Sequence, residues 1–198
     1  MRKGDATRLR VLDEAARQAA TRGITVISLG EVAAGAGISK SGLFKHFESK
    51  EAMQQAILER ALQQFTEEVW LPAAPLPQGR ERLTRIFDLW LAWACEQNAG
   101  RGCLIMTAAV ELDDQPGPLR DLLQSQLRRW EKTLVREFTA LKDPPLPEQD
   151  AAIAAFQMKS FVLGHNESRR LLEDAGARAL APASFDALLG RAGAWRRT

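Results

Sequence analysis

Ser28-Leu-Gly-Glu-Val-Ala-Ala-Gly-Ala-Gly-Ile-Ser-Lys-Ser-Gly-Leu-Phe-Lys-His-Phe-Glu-Ser-Lys50 decides how this 198-residue chain reads. Ser28 and Glu31 stand at capping-box spacing and predict a short helix over 28–36. Gly37 stops it, and Ser39 opens a second short helix to about Phe47. Upstream, Leu9, Leu12, Ala16 and Ala19 recur at i, i+3, i+7 and i+10, an apolar stripe that Gly23 ends. Three short helices, the last two joined by the glycine-containing turn Ala34-Gly-Ala-Gly-Ile38, describe a helix-turn-helix. Such a unit packs Leu43 and Phe47 inward. Lys40, Ser41, Lys45 and His46 remain outside, able to donate to phosphates and base edges in a major groove. Lys50 opens the next helix, where free N–H groups and the helix dipole already favour a phosphate.

Outward from this stretch, every substantial segment has the helical period. Helices are expected from Ser49 to about Trp70, Arg80 to about Gln97, Leu104 to Leu112, Leu119 to Leu141, Glu148 to Glu173 and, more weakly, Ser184 to Arg191. The proline-rich stretch Leu71–Gly79, the turn Asn98–Gly102, Asp113–Pro118 and Asp143–Pro147 separate them. The expected fold is all-α with about nine helices. A helix-turn-helix head over residues 1–48 precedes a larger helical domain over 49–198.

Charge supports an anionic partner at one end. Residues 1–50 hold nine Lys/Arg against five Asp/Glu, leaving 18 basic and 20 acidic residues to the remainder. A basic head on a nearly neutral body suits nucleic acid. Other classes recede. The longest apolar run is Leu89–Cys95, seven residues, far short of the ~18 that would suggest a membrane span. No apolar stretch follows the basic N-terminus as a secretory signal requires. Two cysteines and two histidines, with no metal-ligand spacing, predict no metal, no cofactor and no enzyme. The expected location is the cytoplasm, in association with the nucleoid.

At residues 7–53 the match becomes specific. Val32-Ala33, Ala36-Gly-Ile-Ser39, Leu43-Phe-Lys-His-Phe47 and Ser49-Lys-Glu51 resemble, at fixed spacing, the DNA-binding head of TetR-family transcriptional regulators. The resemblance implies a ligand-responsive regulator, most often a repressor, that binds a palindromic double-stranded DNA operator as a homodimer. It implies DNA contacts at Ser28, Ser39, Lys40, Ser41, Gly42, Phe44, Lys45, His46 and Lys50. Two positions depart from the family pattern. Phe44 replaces a tyrosine whose hydroxyl donates to phosphate, a bond worth ~0.5–1.5 kcal/mol. Ser41-Gly42 stands where Gly-Thr is usual, so base preference is expected to differ.

The larger domain offers candidates of two kinds. Trp90, Trp93, Cys103, Met106, Trp130, Phe156, Phe161 and His165 suit a pocket for a small hydrophobic effector, and equally suit plain core. The helix over 148–173 is apolar nearly all round, so one chain covers only part of it. Leu127, Trp130, Leu134, Phe156, Phe161 and Val162 are therefore expected at a two-fold, four-helix dimer interface. The competing reading is a helical ligand-binding protein that acts through another regulator rather than on DNA.

Overall fold

The computed structural model describes residues 3–100, 102–141 and 145–194. Within them lie nine α-helices and no strand: α1 (Lys3–Arg22), α2 (Leu29–Gly35), α3 (Lys40–Phe44), α4 (Lys50–Phe65), α5 (Arg80–Gly100), α6 (Leu104–Glu111), α7 (Pro118–Thr139), α8 (Glu148–Arg170) and α9 (Ala177–Ala194). The all-helical expectation holds. The expected stop at Asp143–Pro147 falls partly outside the described residues.

The chain forms two compact units, Met1–Gln64 with Asn98–Ser125, and Phe65–Gln97 with Gln126–Thr198. The first unit thus runs past residue 48 through most of α4, and it takes in α6 from later in the chain. Here α1 packs on α2 and α6, and α2 on α3. Val11, Leu12, Ala15, Ala16, Ala19 and Ala20 form the buried face of α1, and Val32 and Ala33 of α2 and Leu43 of α3 are likewise nearly inaccessible. Small residues on α1 let its partners approach closely.

In the second unit α8 packs on α9. Ala151, Ala154, Ala155, Met158, Val162 and His165 form the buried stripe of α8. On α9, Ala177, Ala181, Phe185, Leu188, Leu189 and Ala192 are buried, again at i, i+3 and i+4 intervals. That continuous stripe explains a difference from expectation: α9 begins at Ala177, seven residues before Ser184, and carries Pro182 inside it. Burial of Ala177 and Ala181 outweighs the one backbone hydrogen bond that Pro182 cannot donate. Phe87 of α5 stacks on Phe185 at 4.1 Å. Buried Glu137 of α7 accepts from the Arg82 guanidinium at 2.9 Å, and Arg82 also donates to the Leu76 carbonyl at 2.9 and 2.6 Å. One cation therefore ties the proline-rich loop to α7.

A helix uninterrupted to Trp70 is not what forms. α4 ends at Phe65 and continues as a π-helical turn, Thr66–Trp70, in which the Leu71 N–H reaches the Thr66 carbonyl five residues back. Five residues along an α-helix lie about 140° apart around its axis; the wider turn brings Phe65 and Trp70 closer to one side. Both rings meet Trp130, with centroids at 5.1 and 6.3 Å.

Candidate nucleic-acid interface

The head is built by its caps. Ser28, extended at the start of α2, accepts the Glu31 N–H at 3.5 Å. Only that half of the expected capping box forms, because the Glu31 carboxylate instead accepts from Arg22 at 2.9 Å. At the other end of α2, Ile38 N–H reaches the Ala33 carbonyl (3.0 Å) and Gly37 N–H the Ala34 carbonyl (3.1 Å). This is a Schellman closure, and Gly37 sits at φ +68°, a conformation that costs glycine little. Ile38 then leads into Ser39, whose Oγ accepts from Gly42 N–H and hydrogen-bonds Ser41 Oγ, both at 3.0 Å.

α3 is shorter than expected. It ends at Phe44, with Lys45 as its C-cap, and the His46 and Phe47 N–H groups both turn back to the Leu43 carbonyl. Leu43 and Phe47 are buried as the amphipathic reading requires. Ser39, Lys40, Ser41, Phe44 and Lys45 are exposed, while Gly42, His46 and Lys50 are half-buried. Phe44, 47% exposed, presents an aromatic face to solvent beside the lysines. A Cβ at Gly42 would stand 3.2 Å from Ser39 Oγ, so the threonine usual in the family would crowd this cap.

Lys50 has a partner the sequence did not reveal. Its ammonium donates to the Thr25 carbonyl at 2.7 Å. Lys50 also lines a cavity of about 570 Å³ with Gln54, Gln115 and Arg120. Ser49 Oγ accepts from Ala52 N–H at 3.0 Å and caps α4. The Glu51 carboxyl is held below its usual range by hydrogen bonds to its own backbone N–H and to Ser49. Two further features were illegible in sequence. Arg8 of α1 lies 5.0 Å over the Phe47 ring, and Glu111 of α6 accepts from the backbone N–H groups of Ile24 (2.6 Å) and Thr25 (2.8 Å).

The candidate pocket residues do not form one group. Trp90, Trp93 and Trp130 come together around Phe65, edge to face, with centroids 5.1–5.9 Å from that ring. Trp130 Nε1 is buried there without a hydrogen-bond partner. Phe161 is half-buried, whereas Phe156 is 66% exposed on the outer side of α8 and lines no interior space of its own chain. His165 is buried with Nδ1 3.0 Å from the Ala177 carbonyl, a joint between α8 and α9. Cys103 and Met106 belong to the other unit, buried and half-buried respectively.

Two expected dimer contacts need correction. Leu134 and Val162 are buried within the single chain, because they fall on the inward stripes of α7 and α8. The large apolar residues α8 leaves exposed are Ile153, Phe156 and Leu163, a stripe at i, i+3 and i+10. Leu127 and Trp130 are half-buried. Among the described residues no three His, Cys, Asp or Glu side chains are grouped to hold a metal ion, and no helix is long and apolar enough to cross a membrane.

Comparison with known proteins agrees with this arrangement. Residues 11–57 match the family described as bacterial regulatory proteins, tetR family, and residues 79–185 match the tetracyclin repressor-like C-terminal domain. An HTH-type transcriptional regulator from Mycobacterium tuberculosis (strain ATCC 25618 / H37Rv) is 30% identical over 171 residues, covering 78% of this chain and 82% of that protein. The HTH-type transcriptional repressor DhaR from Mycobacterium sp. (strain GP1) is 33% identical over 119 residues, 59% of this chain and 56% of DhaR. A TetR transcriptional regulator from Chloroflexus aurantiacus J-10-FL superposes with a TM-score of 0.82 at 26% identity, covering 96% of both chains. AibR, solved with isovaleryl coenzyme A and operator DNA, shares the fold at a TM-score of 0.73 and 20% identity, over 93% of this chain and 97% of AibR. With a formed helix-turn-helix, an all-helical body and family matches to both, the chain belongs to the TetR family of DNA-binding transcriptional regulators.

Proposed function

We propose that this regulator is a repressor that binds a palindromic operator as a homodimer and is released by a small hydrophobic effector. The observation that carries the DNA side is the exposed donor row Ser39, Lys40, Ser41 and Lys45 above buried Leu43 and Phe47. Ser41 and Lys40 read base edges, and Lys45, His46 and Lys50 hold phosphates. Residues 1–48 are the reading head; residues 49–198 carry effector binding and dimerisation. Ile153, Phe156 and Leu163 support pairing of α8 across a two-fold axis, since solvent-exposed apolar stripes mark interfaces. Two heads then reach successive major grooves ~34 Å apart.

The effector side rests on the aromatic cluster around Phe65. Its apolar body suits a hydrophobic molecule, and a hydrogen-bond acceptor on that molecule would satisfy the buried Trp130 N–H. DhaR's description as a repressor favours the sign, and AibR's coenzyme A ester is a precedent for an acyl effector in this fold. Release is a population shift, the effector binding the non-competent state more tightly than the DNA-competent one. The test is selection of duplexes from a random-sequence library by the purified protein. A palindromic consensus, with a salt slope that falls by about 0.9 on Lys45→Ala, is expected. Failure to enrich any duplex would refute the reading and favour action through another regulator.

A further inference from the structure

The turn between α1 and α2 is held by its backbone from two sides. On the N–H side, the Glu111 carboxylate accepts from Ile24 (2.6 Å), from Thr25 (2.8 Å) and from the Thr25 hydroxyl. On the carbonyl side, Gln54 donates to Ile24 (2.8 Å) and Lys50 to Thr25 (2.7 Å). An anion and a cation therefore grip opposite ends of the same short stretch of backbone, each through charge-assisted hydrogen bonds, the stronger kind. Gly23 makes the approach of the carboxylate possible. A Cβ there would lie 2.7 Å from Glu111 Oε1, and its φ of +99° is one that other residues rarely adopt. Ile24 is fully buried, so its N–H has no water to turn to if Glu111 lets go.

We infer that Glu111 is a positioning residue for operator binding, one that sets the pose of α2 and α3 by pinning the turn from which they start. Thr25 lies four residues ahead of Leu29, where α2 begins, and only exposed Val26, buried Ile27 and the Ser28 cap separate them. Wherever the turn is pinned, α2 follows, and α3 follows α2 through the closed Gly37 turn. Glu111 lies outside the matched head, residues 11–57, and inside the segment matched by the C-terminal family model, residues 79–185. A residue of the regulatory part thus determines what fraction of heads is competent to dock, and apparent affinity scales with that fraction. Lys50 then has two tasks, one inside the grip and one toward phosphate. This inference rests on the DNA-binding reading of α3.

The test uses the full-length protein, a duplex that the wild type selects from a random-sequence library, and a random duplex of equal length. Glu111→Gln is expected to weaken binding to the selected duplex about tenfold, the scale of one hydrogen bond to a charged group. Binding to the random duplex and its salt slope should stay within about twofold, because phosphate contacts need no fixed pose. A merely structural role would lower the active fraction and reduce both affinities in proportion. Thr25→Val, which removes only the hydroxyl bond, should weaken selected-duplex binding about threefold and serves where Glu111→Gln fails to fold. Equal loss on both duplexes, or wild-type affinity in both variants, overturns the inference. A wild type that selects no duplex overturns the underlying DNA reading instead.

Discussion

Replacing Phe156 by glutamate should take the protein apart into monomers. Phe156 is 66% exposed on α8, between Ile153 and Leu163 on the same outer stripe. About two-thirds of the ~200 Å² of a phenylalanine is ~130 Å², and at ~25 cal/mol/Å² its burial contributes about 3 kcal/mol. In the proposed dimer a two-fold axis would count it twice, so about 6 kcal/mol of that dimer's stability would pass through this residue. Losing it raises the dimer Kd by roughly four orders of magnitude, and a buried, unpaired carboxylate adds to the loss. Sedimentation equilibrium from about 0.1 to about 50 µM, a range narrower than that shift in Kd, reads the change directly. The expected wild type is a dimer throughout and Phe156→Glu a monomer, with Leu71→Glu, an exposed loop position, unchanged. A dimeric Phe156→Glu, or a wild type that stays monomeric yet binds a full palindrome tightly, would refute the pairing of α8.

Arg82→Met should cost about 3–5 kcal/mol in urea unfolding, because it leaves the nearly inaccessible Glu137 carboxylate without its cation. Adding Glu137→Gln should restore part of that stability. Phe44→Tyr, at an exposed position, should leave stability within about 0.5 kcal/mol and tighten operator binding by about 0.5–1.5 kcal/mol; unchanged affinity in gel shift would place the ring away from phosphate. Asp88, an exposed residue whose carboxyl is partly shielded from water, has its pKa raised by that partial desolvation, with Arg85 opposing the effect and Asp186 adding to it. A raised acid stabilises the fold as pH falls through its folded value and disfavours it above. Asp88→Asn should therefore stabilise slightly at pH 7, by about a few tenths of a kcal/mol after solvent screening at this exposed site. The difference should vanish near pH 3 in thermal melts.

The head was legible because its determinants are local. Ser28, Gly37 and Ser39 act on backbone groups three residues away, and those spacings are written in the chain. Glu111 was not legible, since its partners Ile24 and Thr25 stand 87 and 86 residues earlier and nothing local marks a glutamate at a helix end as their acceptor. On α8, an apolar residue at nearly every turn gives no way to tell which arc its own chain covers. The inward arc proved to hold Val162 and the outward arc Phe156. Pro182 misled for the opposite reason, a strong local signal overridden by the packing of Ala177 and Ala181. The π-helical turn has no local signal, as Thr66-Glu-Glu-Val-Trp70 suits an ordinary helix.

That π-helical turn has the arithmetic of an inserted residue. Closing a backbone ring over five residues instead of four admits one extra amino acid without ending the helix. Everything after it is rotated by about 100° relative to an unbroken α-helix. The turn stands where the first compact unit ends at Gln64 and the second begins at Phe65. With five residues from Phe65 to Trp70, the ring cluster these two build with Trp130 therefore depends on the wide turn as well as on side-chain identity. Deleting a single residue between Phe65 and Trp70 would let an ordinary α-helix close with the two rings four residues, about 40°, apart and still on one face. In this segment a frame-preserving deletion of one codon trades the π-helical turn for an α-helical one and keeps the two rings together.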